Sequence, residues 1–380
     1  MSYVGFVAVW LALREIARSK GRFALLGGAI GLLVFLNLFQ QALLNGLVTD
    51  FIGAVENQNS PVLVFSEQAR KNVEGSFLSQ DQADAIAAVE GVADTALIGQ
   101  NTFTVLAGGD DADAVLFGYE LGGLGEPTAL VEGTLPQGAN LAVATEADAD
   151  AGFGIGDEIT ILADGGPVIT VVGLASESRW AVTPTLFVSY ETFEAAQLAV
   201  NPGSEVVLPS LVAVQPDDGT DLDALTDAID ASVPGTEALT NQEAIDGNPA
   251  VVNTSQSFNI ILTLGFVVVL VVVAFFFLIL TVQKARPLTL LRAVGAPRAF
   301  LVRNLVIQIV LVMAAGIAAG LVLTFLAVVT APVGDVAISV RPSTAISTVL
   351  TLFVLALIAG IASIRRVLRI DPIDATVDAA

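Results

Sequence analysis

The side chains available for chemistry exclude several common kinds of active site. The 380 residues contain no histidine and no cysteine. Zinc sites built on these residues, His-based catalysis and disulfide bonds are therefore excluded. No nucleophile–base pair is recognisable among the many carboxylates, which disfavours a free-standing enzyme. The side chains that remain available for binding are carboxylates, amides, tyrosines, one internal methionine and a few cations.

A polar stripe follows the first apolar segment. Asn37, Gln41 and Asn45 recur every four residues, and Glu56 lies eleven residues beyond Asn45. Eleven residues are about three helical turns, so Glu56 continues the same stripe. The stripe suits a bound ligand, but amides of this kind also join packed helices, and Glu56 suits a solvated position equally well. Both interpretations stay open at this point.

Four long apolar runs must position these groups. Each has about 20 residues or more, enough to cross a hydrocarbon core of about 30 Å as a helix. No run contains a lysine or arginine, which would cost about 2.5–3.5 kcal/mol at the centre. The first run is too long for a secretory signal, so we expect a retained anchor. The runs are Phe23–Leu44, Phe258–Val282, Leu305–Val329 and Thr344–Ile364.

The basic residues predict the orientation of these spans. Twelve of the 16 lysines and arginines fall within residues 14–22, 284–303 and 365–369, next to apolar runs. Because such residues stay on the cytoplasmic side, both termini are predicted to be cytoplasmic. The segment 45–257 is then outside. It holds 33 of the 38 acidic residues, which disfavours binding to nucleic acid or anionic lipid.

The outer segment is predicted to be an α+β domain of one or two lobes. Ser79–Val89 has the pattern of a capped helix, with Ser79 as N-cap and Gln82 three residues on. Further helices are predicted at Thr192–Leu198 and Leu222–Ala231. The predicted strands are Val62–Phe65, Phe103–Leu106, Val115–Tyr119, Leu141–Ala144, Ile159–Leu162, Val168–Val172, Leu186–Ser189 and Leu211–Gln215.

The predicted fold class is an α-helical membrane protein with four transmembrane helices, one before and three after a large extracytoplasmic α+β domain. The first helix is expected to continue outward as a stalk until Pro61. The expected divisions are an interfacial helix at 1–22, helix 1 and stalk at 23–60, the outer domain at 61–240, stalk and helix 2 at 241–282, a cytoplasmic loop at 283–304, helix 3 at 305–329, an outer loop at 330–343, helix 4 at 344–364 and a tail at 365–380.

The cytoplasmic loop contains a short amphipathic pattern. Leu288, Leu291 and Val294 recur at helical spacing, and Gly295-Ala296-Pro297 ends the helix. Such a helix would present an apolar ridge to another protein, or lie in the membrane interface as a simple surface helix.

This loop also carries a family resemblance. Residues 291–296, Leu-Arg-Ala-Val-Gly-Ala, resemble the "LRAxGA" signature of the FtsX/MacB-like permeases, the membrane subunits of type VII ABC transporters. Residues 13–22, 154–159 and 370–375 resemble further stretches of that family, with Asp374 where glutamate is usual. Arg286-Pro287 departs from the acidic residue often found before the signature.

The resemblance implies that the loop is a coupling helix docking into an ATPase subunit. The residues implied in docking are Leu288, Leu291, Arg292, Val294 and Gly295. The chain has no G-x-x-x-x-G-K-[ST] phosphate loop, so ATP hydrolysis is expected in a separate subunit. The expected assembly is a homodimer of this permease with two ATPase copies in a bacterial plasma membrane, in contact with membrane lipid and without an intrinsic cofactor.

Residues 41–78, and especially 62–76, resemble the HrtB/DevC branch of this family, which implies haem as the transported substrate. Without histidine and cysteine, the iron ligands available are tyrosine, methionine or a carboxylate. Two Glu56 carboxylates could meet across a dimer axis and hold the iron. The candidate haem-site residues are Glu56, Asn45, Gln41, Met313, Phe258 and Arg341.

Each of these candidates has a simpler interpretation. Met313 suits an irregular gap in a core, and Phe258 suits lipid contact or packing. Arg341 suits pairing with haem propionates or with the acidic outer domain. Two other functions remain open for the whole chain: export of another lipophilic cargo such as a lipid, lipoprotein or antimicrobial peptide, and FtsX-like regulation of a cell-wall hydrolase without transport.

Overall fold

The computed structural model describes residues 20–283, 298–330 and 338–368, together with Arg14 and Arg18. Two compact units divide these residues. The helical unit contains the described residues up to Asn45 and those after Gln256. The β-rich unit contains residues 46–256. The predicted interfacial helix at 1–22 and tail at 365–380 lie largely outside the described residues.

Eight α-helices and ten strands are present among the described residues. The helices are α1 (Lys20–Glu56), α2 (Gln80–Ala87), α3 (Tyr190–Val200), α4 (Leu222–Ser232), α5 (Asn241–Gly247), α6 (Pro249–Gln283), α7 (Arg298–Thr330) and α8 (Pro342–Leu368). The strands are β1 (Val62–Ser66), β2 (Val92–Ala107), β3 (Asp110–Tyr119), β4 (Leu130–Gly133), β5 (Leu141–Thr145), β6 (Glu158–Ile161), β7 (Val168–Ala175), β8 (Thr185–Ser189), β9 (Leu211–Pro216) and β10 (Thr236–Thr240).

Within the described residues, four helices have the length and apolar composition needed to cross a membrane. The apolar stretches are Phe23–Glu56, Pro249–Ile279, Val306–Thr330 and Pro342–Ile361. The 37 residues of α1 make about 55 Å of helix, well beyond the hydrocarbon thickness of about 30 Å. An apolar helix with a long extension therefore exists, as the stalk prediction requires.

The extension ends earlier than its sequence suggests. Helix α1 stops at Glu56, so the prediction that it continues until Pro61 is wrong. The backbone of Asn57 accepts a hydrogen bond from Thr128 N, at 2.9 Å, and Asn59 N donates to Glu126 O, at 3.1 Å. These hydrogen bonds use backbone groups that a longer α1 would bond within itself, so the helix ends before them. The segment 241–257 was predicted to be a second stalk. It forms α5 and the beginning of α6, and Asn248 between them has an extended backbone.

Glycines allow α1 and α7 to pack closely in the helical unit. A Cβ on Gly31 would lie 3.0 Å from Ala319 Cβ and 3.1 Å from Gly316 O, and one on Gly320 would lie 2.6 Å from Val34 Cγ1. The small-xxx-small spacing of Gly27/Gly31 and Gly316/Gly320 therefore marks a real helix contact, as the spacing predicts. The core around it is Phe23, Leu26, Ile30, Val34, Leu38, Val269, Val273, Phe277, Ile309, Val312, Met313, Leu352, Ala356 and Ala359.

The β-rich unit is built on a mixed sheet. Its strand order is β10-β1-β9-β2-β3-β8-β5-β7-β4, and β6 pairs with both β2 and β7. Pairs β3/β8 and β5/β7 are parallel, whereas the other pairs are antiparallel. All eight predicted strands and the three predicted helices are confirmed. Ser79 and Gln82 form the predicted capping box of α2.

The 16-residue strand β2 joins the two halves of this sheet. Its first part, Val92–Ile98, pairs with β9, and its second part, Gly99–Ala107, pairs with β3. Gly99 and Gly118 face each other at the change of partner. A Cβ on either glycine would overlap the side chain of Phe193, so these glycines make room for α3 on the sheet.

A short loop binds the upper part of α1 within the β-rich unit. We call residues 177–182 together with their contacts on α1 the stalk clamp. Val182 N donates to Asp50 O at 2.9 Å, Ala181 N to Phe51 O at 3.1 Å, and Ala54 N to Arg179 O at 3.0 Å. The Asn57 amide donates to Glu177 O at 2.6 Å. The helix backbone is thus held directly by the loop backbone.

A buried ion pair supports the stalk clamp. Both Arg179 and Asp148 are buried, and the guanidinium donates two hydrogen bonds to the carboxylate, one of 3.0 Å between Nε and Oδ2. Asp50 of α1 lies 3.8 Å from Arg179 Nη1. Removing one partner of a buried pair costs about 3–5 kcal/mol. The Arg179–Asp148 pair therefore fixes the loop against residues 146–151 of the same unit, and Asp50 places an α1 carboxylate beside the same guanidinium.

The clamp backbone is strained, which indicates that its surroundings dictate its shape. Glu177, Ala181 and Val182 adopt φ angles of 49°, 51° and 61°, a left-handed region that costs non-glycine residues free energy. Trp180 between them is buried, with its ring edge-on to Phe117 at 5.7 Å and its Nε1 donating to Glu74 at 3.3 Å.

A substitution at Gly53 would test how closely the clamp approaches α1. A Cβ at this position would overlap the carbonyl of Glu177, and backbone atoms on both sides leave no room to move. We expect Gly53→Ala to lower the melting temperature of the purified protein, because overpacking of this kind costs about 1–3 kcal/mol.

Gly28→Ala is the matched control on the same helix. A Cβ on Gly28 has no atom within 4 Å, and alanine improves helix propensity by up to about 1 kcal/mol. Equal melting temperatures for the two variants would contradict the close approach at Gly53.

Candidate functional site

A cavity of about 240 Å³ lies within the helical unit, between α1, α7 and the beginning of α8. Its wall is almost entirely apolar, although five polar residues are among those that surround it. The residues around it are Leu38, Gln41, Ala42, Asn45, Leu321, Thr324, Phe325, Val328, Val340, Arg341, Thr344 and Ala345.

A chain of hydrogen bonds forms the polar side. Gln41 Nε2 donates to Asn45 Oδ1 at 3.3 Å, and Asn45 Nδ2 donates to Thr344 Oγ1 at 3.2 Å. Thr344 Oγ1 donates to Arg341 O at 2.8 Å. These bonds join α1 to the first turn of α8. A further bond, from Ser339 N to Ala42 O at 3.2 Å, holds the segment before α8 against α1.

The apolar side comes mainly from α7. Leu321, Thr324, Phe325 and Val328 recur at intervals of three or four residues, so they share one face of the helix. The hydroxyl of Thr324 donates to Gly320 O at 2.9 Å, which satisfies it within its own helix. This side can therefore accept hydrocarbon without leaving a buried donor unpaired.

Three of the six candidate haem-site residues meet at this cavity. Gln41 and Asn45 come from α1, and Arg341 immediately precedes α8; all three are half-buried. Asn37, from the same polar stripe, is buried elsewhere. It donates to Leu33 O at 2.9 Å and lies against Gly265 of α6, as expected of a packing residue.

The structure places the other three candidates elsewhere. Met313 is fully buried in the core of the helical unit, and Phe258 is half-buried on α6; neither lines the cavity. Glu56 is half-buried at the end of α1 and belongs to the β-rich unit. The residues of the predicted coupling helix, Leu288, Leu291, Arg292, Val294 and Gly295, lie outside the described residues.

Two tyrosines are poor iron ligands in their observed environments. Burial raises the pKa of the Tyr119 hydroxyl well above its ordinary value, and Glu126 raises it further. The pKa of Tyr190 is raised by burial and by Glu194 and Glu120. Neither residue therefore supplies a phenolate near neutral pH. In the described part of the chain, no three acidic residues are grouped closely enough to hold a metal ion.

The predicted residues at this cavity are Gln41, Asn45 and Arg341, and its apolar residues are not among the predicted ones. Leu38, Ala42, Thr344 and the stripe on α7 line the cavity without having been predicted from the sequence. The three- and four-residue spacing on α7 is a signal, but every membrane helix has many apolar residues at such spacing, so it selects no face by itself.

Two family comparisons match successive parts of the chain. The MacB-like periplasmic core domain matches residues 23–232, and the FtsX-like permease C-terminal domain matches residues 259–372. The first match covers more than half of the chain. The second covers most or all of three of the four described helices that are long and apolar enough to cross a membrane.

Two solved structures are also similar to the chain. The periplasmic region of MacB from Actinobacillus actinomycetemcomitans is 12% identical with a TM-score of 0.35, covering 52% of this chain and 94% of that one. The extracellular domain of the noncanonic ABC-type transporter YknZ from Gram-positive bacteria is 14% identical with a TM-score of 0.34, covering 48% and 100%. The family matches, the first of which spans more than half of the chain, show that the chain belongs to the FtsX/MacB-like permease family.

Proposed function

We propose that this chain is the permease subunit of an ABC-type efflux transporter that moves a lipophilic cargo out of the outer half of a bacterial plasma membrane. It acts as a homodimer with two copies of a separate ATPase. The helices are arranged as one before and three after an extracytoplasmic domain, with both termini in the cytoplasm. Family membership and the flanking basic patches support this arrangement.

One observation carries the proposal: α1 is a single helix that begins in the helical unit and ends under the stalk clamp. An uninterrupted helix transmits an axial or tilting movement along its length because every turn is hydrogen-bonded to the next. The clamp holds its far end by backbone hydrogen bonds, and Asp50 of α1 lies 3.8 Å from the buried Arg179. Movement of α1 is thereby passed to the β-rich unit.

The energy for this movement comes from a partner. The chain contains no phosphate-binding loop of the G-x-x-x-x-G-K-[ST] type. The basic loop between α6 and α7 is the proposed docking segment, with Leu288, Leu291 and Val294 as an apolar ridge and Arg292 and Gly295 beside it. Closure of two ATPase subunits would push on this loop in each permease.

Haem is the first cargo to test. The resemblance of residues 62–76 to the haem-efflux branch supports it, with Glu56 as the proposed iron ligand at a dimer axis.

The cavity favours a second candidate, a smaller lipophilic molecule. Its 240 Å³ lies below the roughly 300–1,000 Å³ of pockets that enclose drug-sized ligands, so a porphyrin would have to bind at Glu56 rather than inside it.

The haem hypothesis predicts a spectroscopic signal from the assembled transporter. Permease and ATPase co-reconstituted in nanodiscs should show a haem absorbance band and haem-stimulated ATP hydrolysis. Glu56→Gln keeps the side-chain size but removes the charge, so it should shift the band and abolish stimulation. Glu132→Gln, an exposed carboxylate on β4, is the control. If the unsubstituted transporter shows neither band nor stimulation, haem is not the cargo.

The stalk clamp predicts a separation of ATP hydrolysis from transport. Arg179→Met leaves Asp148 buried without its bidentate partner and should destabilise the clamp by about 3–5 kcal/mol. Transport per ATP should fall while ATP hydrolysis continues, because the ATPase subunits are untouched.

Two comparisons separate loss of transmission from loss of folding. Arg70→Met removes an exposed arginine of the same unit and should leave both activities unchanged. Asp148→Asn combined with Arg179→Met removes both charges and should recover part of the melting temperature. An unchanged ratio of transport to ATP hydrolysis in the single Arg179 variant would contradict the proposed role of the clamp.

A further inference from the structure

We propose that the cavity between α1, α7 and α8 binds an uncharged hydrocarbon of about ten carbons, a molecule that needs no hydrogen-bond partner. The inference deepens the proposed function by naming a substrate class, and it rests on that function only in treating the bound molecule as cargo. The site itself can be tested without haem and without the ATPase.

The polar side chains around the cavity are already bonded within the protein. The Gln41 and Asn45 amides and the Thr344 hydroxyl form one chain of hydrogen bonds. This chain ends on the carbonyl of Arg341, a residue that has a further interaction within the protein. The Thr324 hydroxyl is bonded within its own helix. Among the described residues, the buried side-chain oxygens and nitrogens that lack a partner include none from this cavity.

This arrangement selects against polar and charged ligands. A polar group that is buried without gaining a hydrogen bond costs free energy, and an unpaired charge costs more. A hydrocarbon has no such group, and it gains dispersion contacts with the carbon atoms around it. Because the surface of the cavity is almost wholly apolar, it favours an uncharged ligand over an acid or an amine with the same chain.

The size of the cavity limits the length of the ligand. An apolar cavity of about 150 Å³ holds the six carbons of benzene. On that scale the observed 240 Å³ holds roughly ten carbons. The stretches 38–45 of α1 and 321–328 of α7, which line it, each rise about 10 Å along their helices. A porphyrin exceeds this space, and a diacyl phospholipid would leave one chain and its head group outside.

The entrance to the cavity lies on the α7 side. Leu38 and Ala42 of α1 are buried at the back, whereas Leu321 and Phe325 of α7 are 43% and 67% exposed. At the Asn45 end, hydrogen bonds between α1 and the segment around the start of α8 close the space. A whole molecule of this size can therefore enter sideways from the hydrocarbon core of the membrane. This route favours a free hydrocarbon over the tail of a lipid, whose head group stays in the interface.

Photolabelling tests this assignment. The probe is decane with a diazirine in the middle of its chain, added to the full-length permease in phosphatidylcholine nanodiscs. We expect saturable labelling of peptides that contain residues 321–328 or 340–345. Unlabelled decane should compete. Decanoate and decyltrimethylammonium should each compete about tenfold less well at equal membrane concentration, because their charged groups find no unpaired partner in the cavity.

A series of chain lengths separates the cavity from the lipid-facing surface. At equal membrane concentration, decane should compete better than hexane, which leaves part of the space unfilled. It should also compete better than hexadecane, which exceeds the space. Contact with an open apolar surface would instead increase steadily with chain length, and that result would contradict an enclosed site.

Two pairs of variants locate the site. Ala345→Phe fills the cavity and should abolish saturable labelling, whereas Ile346→Phe, at a 68% exposed position outside the cavity, should leave it intact. Val328→Ala enlarges the cavity and should move the preferred competitor from decane toward dodecane. Its control is Val329→Ala, at a 64% exposed position outside the cavity, which should not change the preference. The second pair decides if Ala345→Phe fails to fold.

The outcomes distinguish this inference from the proposed function. Equal labelling of the Ala345 and Ile346 variants, equal competition by decane and decanoate, or labelling only by a diazirine-bearing phosphatidylcholine would each overturn it. Saturable labelling without any effect of decane on ATP hydrolysis by the co-reconstituted transporter would keep the site and remove its role in transport. Haem-stimulated hydrolysis without labelling would support the transporter and reject this site.

Discussion

The structure depends on how closely the backbone of α1 approaches its neighbours. In the helical unit, Gly31 brings α1 against Gly316 and Ala319 of α7. In the β-rich unit, Gly53 brings the same helix against the carbonyl of Glu177. Close backbone contact maximises dispersion and aligns polar groups where a side chain would hold the surfaces apart. In each unit, a glycine of α1 thus permits a close contact with a neighbouring segment.

The features that sequence predicts well are those fixed by local patterns. The Ser79–Gln82 capping box, the apolar runs and the strands with alternating or continuous apolar residues all appear where expected. Strands β4 and β10 were missed. The four residues of β4 are all exposed, and β10 is short, so their pairing partners β7 and β1 specify them rather than their own composition.

The candidate site also combines residues that stand out in the sequence with contacts between residues that are distant in the sequence. Gln41 and Asn45 stand out because amides are uncommon in an apolar helix, and Arg341 stands out as the base of a short loop. Nothing local indicates that they meet, since the Asn45–Thr344 bond joins residues 299 positions apart. Met313 and Phe258 looked equally suitable by residue type, but helix packing places one in the core and the other away from the cavity.

Helix α1 connects the chemistry of the cavity with the mechanics of the clamp. Gln41, Asn45, Thr49 and Gly53 recur every four residues, so the cavity amides and the clamped glycine follow one slowly winding stripe of a single helix. At one end of it, Asn45 bonds to Thr344, and further along the helix the carbonyls of Asp50 and Phe51 accept backbone hydrogen bonds from the clamp loop. Both sets of contacts therefore depend on the same uninterrupted helix, in which each turn is hydrogen-bonded to the next.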